Sequence, residues 1–307
     1  AAGITIGCTG DWTIEGTNNH TNHNSTTNRI GYELEGIGTV YGGANEAHIT
    51  SDITLNITSG IVDTVFGGNN TSGTISGGIQ VNINKTGTCD WYVGEVYGGG
   101  NHADYSGTPD VNIIKGIVSG NVYGGGNDIT TPNVGVAGSD VEMTGGQVLG
   151  GVYGGCNLRG TVTGDSEVKI NGGIIGSESQ LMQPNPVIAQ VFGGGLGEYT
   201  RVNGNVEVKI DTIIGVVSPV IWGDVYGGSA LGSVNADNTK TTTVTVIAGT
   251  LNTNAKPGTT TNGHPYYTYR GGNVFGGGLG EQGSTTKGQV NGKVVVNIGI
   301  NPSNRSE

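Results

Sequence analysis

Short runs in which apolar residues alternate with polar ones recur along the chain: ITLNI (53–57), IQVNI (79–83), VNI (111–113), VEM (141–143), VKI (168–170), VEVKI (206–210), VTV (244–246) and VVVNI (294–298). Period two is the signature of a strand with one buried face. Near the start, ITI (4–6) reads as a ninth copy. Several runs end in GG or SG, where a chain turns.

Between these runs stands a second element, Val-Tyr or Val-Phe followed by Gly-Gly. It occupies residues 40–43, 65–68, 96–99, 122–125, 152–155, 191–194, 225–228 and 274–277. Its aromatic positions are Tyr41, Phe66, Tyr97, Tyr123, Tyr153, Phe192, Tyr226 and Phe275, and all three phenylalanines of the protein fall among them. That concentration marks a structural repeat. In VSGNVYGG (118–125), Val118, Gly120 and Val122 share one strand face while Ser119, Asn121 and Tyr123 share the other. The residue before each valine is mostly polar (Thr39, Thr64, Glu95, Asn121, Gln190, Asp224, Asn273). This predicts that the aromatic face lies away from the core.

One alternating strand and one anchor strand per repeat predict an all-β chain: a repeat β-solenoid or stacked β-arches of about eight rungs, with two short strands per repeat. A single repeat domain spans 1–307, ending in a short tail at 299–307. At about 4.8 Å per rung the stack is roughly 38 Å tall. A three-sided helix and a two-sided arch both fit, and two clear strands per repeat lean towards the arch. Equivalent residues then form columns, with valine on valine inside and Asn56, Asn82 and Asn112 placed for an amide ladder outside. Glycines at the corners serve positive φ and close approach of successive backbones. Residues 16–30, 177–190 and 252–270 exceed the minimal repeat and read as loops off the stack.

Composition narrows the function classes. With 62 Gly in 307 residues and only 12% charged residues, the chain is poor in good helix formers, which argues against a helical or doubly wound enzyme. A formal charge of −11 without any Lys/Arg cluster argues against nucleic acid as a partner. No 18-residue apolar run predicts a transmembrane segment. Ala1-Ala2-Gly3 at the start suits a cut signal peptide. Seven Asn-x-Ser/Thr sequons, at Asn19, Asn24, Asn56, Asn69, Asn70, Asn84 and Asn304, mark candidate glycosylation sites of a secreted, extracellular or cell-surface protein. The three cysteines, Cys8, Cys89 and Cys156, contain no CxxC pair and do not suggest zinc. Two could pair and one bridge to another chain, or all three are small residues in tight places. Cys156 stands at the third-glycine position of its anchor, a turn where it would be accessible.

No chemistry stands out. The anchors lack the Gly-Lys-Ser/Thr and following helix of a phosphate loop. Only Asp128 answers to the calcium-binding nonapeptide repeats, so no cofactor is assigned and calcium stays a bare alternative. Asp63, Glu95 and Asp224 stand at polar anchor positions where carboxylates could align, as in polysaccharide-cleaving β-helices, but matching basic residues are few. His20 and His23 are three apart, while His48, His102 and His264 are scattered; polar loop residues are the expectation. Tyr266, Tyr267 and Tyr269, with Trp12, Trp91 and Trp222, suit either sugar stacking or packing. Ice binding needs a regular threonine array, which the varied outer positions do not offer. No enzymatic activity is expected.

Both ends of the stack begin or finish with strand-like sequence, GITI and VVVNIGI, and neither carries a capping repeat. That predicts end-to-end pairing of copies by strand edges. The VYGGGN and VFGGG anchors resemble the glycine-rich repeats of secreted microbial surface proteins, and the overall plan is similar to the archaeal cell-sheath proteins, whose β-arches stack into amyloid-like hoops. The resemblance covers nearly the whole chain and implies a structural, extracellular, self-associating protein that forms a homopolymer. The competing class is an adhesin or glycan-binding β-helix that takes cell-surface glycans, with a polysaccharide-degrading enzyme behind it.

Overall fold

The computed structural model describes residues 2–6, 36–130, 135–181, 189–257 and 267–299. The alternating runs, rich in β-branched residues that suit a pleated surface, lie side by side as one nine-stranded sheet. Its strands, in spatial order, are β1 (Ala2–Ile6), β3 (Ile53–Ile57), β5 (Ile79–Asn84), β7 (Asp110–Lys115), β11 (Ser139–Met143), β15 (Ser166–Ile170), β19 (Val206–Ile210), β23 (Thr241–Val246) and β27 (Lys293–Ile298). Every pair is parallel and joins like position to like: Leu55 to Val81, Val141 to Val168, Val208 to Val244. A parallel sheet must be covered on the face that carries its apolar residues. Here that cover is supplied by the chain's own returning segments.

The returning segments overturn the two-strand repeat, whether drawn as a solenoid of two strands or as a stacked arch. Three large parallel sheets are present, giving a parallel β-helix-like winding. The second sheet has fourteen strands. In the first coils its members are continuous: β2 (Ile37–Tyr41), β4 (Gly60–Phe66) and β6 (Trp91–Tyr97). Further along, each divides in two, at a bend in β8 (Ile117–Val118) and β9 (Val122–Tyr123), β12 (Gln147–Val148) and β13 (Val152–Tyr153), and β20 (Val220–Ile221) and β21 (Val225–Tyr226), and at an insertion in β16 (Ile174–Ile175) and β17 (Val191–Phe192), and β24 (Thr250–Pro257) and β26 (Val274–Phe275). The long insertion after Leu251 runs partly as the antiparallel strand β25 (Tyr267–Gly271) paired with β24. A third sheet holds β10 (Gly135–Val136), β14 (Arg159–Val162), β18 (Tyr199–Val202) and β22 (Ser233–Val234). Isolated parallel bridges extend it, Tyr105 to Val136 at one end and Val234 to Val290 at the other. The insertion from 177 includes the four-residue helix α1 (Glu178–Leu181).

One valine- and isoleucine-rich core runs along the inside of the coils, and most of its members are fully buried. A second correction concerns the aromatics. Phe66, Tyr97, Tyr123, Tyr153, Phe192 and Tyr226 are not on a solvated face but form a buried cluster of their own. From Tyr41 to Phe275 the rings stack in one file, with centroids 4.6 to 5.2 Å apart and planes within 2° to 16°. This spacing follows the rung height and allows the offset stacking that aromatic rings prefer.

The glycines divide between the two roles expected of them. None of the paired anchor glycines at 67–68, 124–125, 154–155 or 193–194 has a positive φ. They are needed for close approach: a Cβ on Gly155 would lie 2.7 Å from the Gly195 nitrogen and one on Gly124 2.5 Å from the Gly154 oxygen. Positive φ occurs instead at other corners, such as Gly116 (108°) and Gly146 (71°), where L-residues are disfavoured.

Candidate functional site

Side chains in equivalent positions of successive coils form ladders, and these contain most of the polar organisation. Asn82 donates to Asn56 at 2.9 Å and Asn112 to Asn82 at 3.1 Å on the outer face of the long sheet. A longer asparagine file escaped the sequence reading. Asn70 donates to Asn45 at 2.8 Å, Asn101 to Asn70 at 3.0 Å, Asn127 to Asn101 at 2.9 Å and Asn157 to Asn127 at 2.9 Å. Its signal was present in the residue that follows the anchor glycines: GGAN, GGNN, GGGN, GGGN and GGCN. At Leu196 the file ends, and this leucine packs against the aromatic cluster.

The phenols are held from the side. Tyr97 donates to Glu95 at 2.7 Å, Asn121 donates to the Tyr123 hydroxyl at 3.0 Å, and Asn157 donates to the Tyr97 hydroxyl at 3.0 Å. Burial, then the nearby Glu95 carboxylate, raises the Tyr97 and Tyr123 hydroxyls far above the ordinary phenol range and Tyr153 to about 12. These are uncharged structural groups, with no proton to give at neutral pH.

The candidate catalytic positions do not converge. Asp63 is exposed, Glu95 is bound to Tyr97 and Asn121, and Asp224 accepts from the Asn273 backbone and side chain at 2.8 and 3.0 Å. Asp128 faces the Arg159 Nε at 3.5 Å. His48 meets Thr74 at 2.8 Å and His102 the Asp128 carbonyl at 3.0 Å. The Trp91 indole donates to the Ile117 carbonyl at 2.7 Å and its ring packs on the core. Among the described residues no group of three His, Cys, Asp or Glu could hold a metal. Asp110, Asp140, Glu167 and Glu207 do align in consecutive coils. Desolvation raises the Asp140 carboxyl against the pull of Lys169, which lies 3.6 Å from it and 2.7 Å from Glu167. His20, His23, His264, Trp12, Tyr266 and the sequons at Asn19, Asn24 and Asn304 lie outside the described residues, as does Cys8; so do the side chains of Tyr267 and Tyr269.

Two further expectations are corrected. Asn69 is buried, with its amide bonded to Ala44, Ala47 and Ser72, so it offers no free nitrogen for a glycan. Cys89 is disulfide-bonded, whereas Cys156 is a free thiol and fully buried rather than accessible. Burial pushes the Cys156 thiol up to about 11, against a backbone hydrogen bond at Gly126. Reactivity needs the thiolate and access. Native protein at pH 8 is therefore expected to leave Cys156 unlabelled by maleimide, with full labelling on denaturation, as peptide mapping would read; rapid labelling of the native thiol would contradict the burial.

What stands apart is the last coil. Interior members of the inner columns, such as Val208, Ile210 and Val244, are wholly buried, but Val294, Val296 and Ile298 of β27 are 45, 43 and 68% exposed. Phe275 ends the aromatic file at 42% exposure, against 1% for Tyr123 and Phe192. Leu279 is 49% exposed. At the opposite end Ile37 is 44% exposed in β2. The candidate site is thus an apolar end face bordered by the backbone edge of β27, which has no further partner strand among the described residues. Comparison with protein-family models, curated proteins and solved structures yields no match.

Proposed function

We propose that the chain is a structural, extracellular protein that self-associates through strand edges into a fibre, sheath or surface layer, in line with the glycine-rich surface proteins it resembles. The observation that carries this reading is the end coil, whose column residues Phe275, Val294 and Val296 are exposed where their interior equivalents, from Tyr97 to Tyr226 and from Leu55 to Val244, are buried. An open parallel edge with an apolar face is a template for another strand. Covering these half-exposed side chains contributes on the order of 1 kcal/mol each, in addition to the hydrogen bonds of the edge. The disulfide at Cys89 suits an oxidising compartment outside the cytosol. No helix among the described residues is long and apolar enough to cross a membrane.

Sedimentation and negative-stain microscopy across a concentration series test the proposal. The protein is expected to form filaments above a threshold concentration. Val296→Lys, which places a charge in the middle of the end face, is expected to lower the sedimenting fraction at least ten-fold while its melting temperature stays near the parent's. A chain that remains monomeric at millimolar concentration, or a variant that assembles like the parent, would remove the basis for the reading.

A further inference from the structure

We infer that copies join head to tail, in one direction and with no register shift, β27 of one copy receiving β1 of the next; this deepens the self-association reading and rests on it. β1 and β27 are the two edges of the same nine-stranded sheet. Ile4 is the register partner of Leu55 and Ile6 of Ile57. The same two columns leave the far edge at Val296, partner of Val244, and Ile298, partner of Val246. One more parallel step therefore sets Ile4 of an incoming copy against Val296 and Ile6 against Ile298.

The second sheet ends differently at the same joint. Tyr41 stacks on Phe66 at 5.2 Å and opens the aromatic file, while Phe275 stacks on Tyr226 at 4.7 Å and closes it. The long sheet has nine strands and the file eight rings, so the step that places Ile4 on Val296 sets Tyr41 two rungs beyond Phe275 and leaves one rung of the second sheet open between the copies. A twofold, tail-to-tail joint would instead pair β27 with another β27 in antiparallel fashion, against the parallel order that every pair of this sheet keeps. A heterologous joint of this kind does not close on two copies but propagates as a filament. Thr5 is the register partner of Asn56, and Asn297 donates to Thr245 at 3.3 Å, so position 5 of the next copy falls beside Asn297 in the register.

That neighbour pair gives the test. Parallel neighbours stand about 4.8 Å apart, within the roughly 4.4–6.8 Å Cα range that a disulfide spans. Full-length Thr5→Cys and Asn297→Cys variants, assembled separately and as a mixture and then mildly oxidised, are run on a non-reducing gel beside microscopy of the same samples. The mixture is expected to give a reductant-sensitive dimer band at least about ten-fold stronger than either variant alone, and Val295→Cys in place of Asn297→Cys is expected to give much less. A dimer from Asn297→Cys alone, or filaments in the mixture without the cross-link, would overturn the head-to-tail register and leave self-association standing. Absence of filaments and of sedimenting material from the unsubstituted chain would overturn both.

Discussion

Gly155→Val is expected to unfold the middle of the stack. A Cβ at this position would stand 2.7 Å from the Gly195 nitrogen, 3.0 Å from its Cα and 3.1 Å from the Gly194 carbonyl carbon. All three are backbone atoms in the next coil, so no side chain can rotate away. The same coils are held in register by the Gly155 amide donating to the Gly194 carbonyl at 3.1 Å, and separating them to admit a methyl group weakens that ladder. Overpacking against rigid neighbours costs about 3 kcal/mol or more. In a chain whose coils contact only their neighbours, a break at one coil divides the whole. The expected drop in melting temperature is on the order of 6 °C or greater, read by circular dichroism. Gly78→Ala is the comparison: its Cβ would meet only Asp52 at 3.6 Å, an ordinary contact, and its melt should match the parent's. A Gly155→Val protein melting with the parent would show that the coils are not packed as described.

How much of this was legible in the sequence depends on how each element announces itself. The nine strands of the long sheet were readable because alternation continues for three to six residues in each, as in Val206 to Ile210 and Lys293 to Ile298. The third sheet was not, since Gly135–Val136 and Ser233–Val234 are two residues long and Tyr105 pairs as a single bridge. Nothing that short carries a period. The aromatic file was located correctly, on the face opposite the valines, but its burial was not foreseen. Polar residues two positions before the tyrosines suggested a solvated face, whereas Glu95 and Asn121 are there to bind the Tyr97 and Tyr123 hydroxyls at the margin of a buried cluster. Polar neighbours of a tyrosine can indicate its partner as readily as water.

The glycines illustrate a related limit. Their number indicated tight structure, but position alone did not separate those that need a left-handed backbone, such as Gly116 and Gly146, from those such as Gly155 and Gly228 that leave room for the next coil's backbone. The distinction depends on what lies one rung away, a long-range relation that local spacing does not encode. The asparagine file from Asn45 to Asn157 is of the same kind. A residue repeated after each anchor becomes a ladder only once the coils are known to stack in register.

Gly277→Val turns that distinction into the sharpest test of the end face. In interior coils the second anchor glycine is always crowded: Gly68 lies against Gly100, Gly155 against Gly195, and Gly228 against Gly278, with Cβ distances of 2.8, 2.7 and 2.7 Å to the backbone nitrogens. Gly277 occupies the same place in the last coil, has no left-handed φ, and a Cβ there meets nothing within 4 Å. Within one copy valine is therefore tolerated, and the melting temperature of the monomer should stay within about 2 °C of the parent's, as expected for a substitution away from packed neighbours. A copy added through β1 alone leaves one rung open above Gly277 and is not hindered; a copy that continues the anchor ladder directly must bring its backbone as close to residue 277 as Gly278 comes to Gly228. The side chain then costs the joint about 3 kcal/mol, which raises the concentration needed for assembly roughly a hundred-fold. Sedimentation of parent and variant over a dilution series measures the ratio directly. Fibres of Gly277→Val forming at the parent's threshold would mean that copies do not continue the anchor ladder directly on this coil, since no packed chain could follow it past a valine at that position.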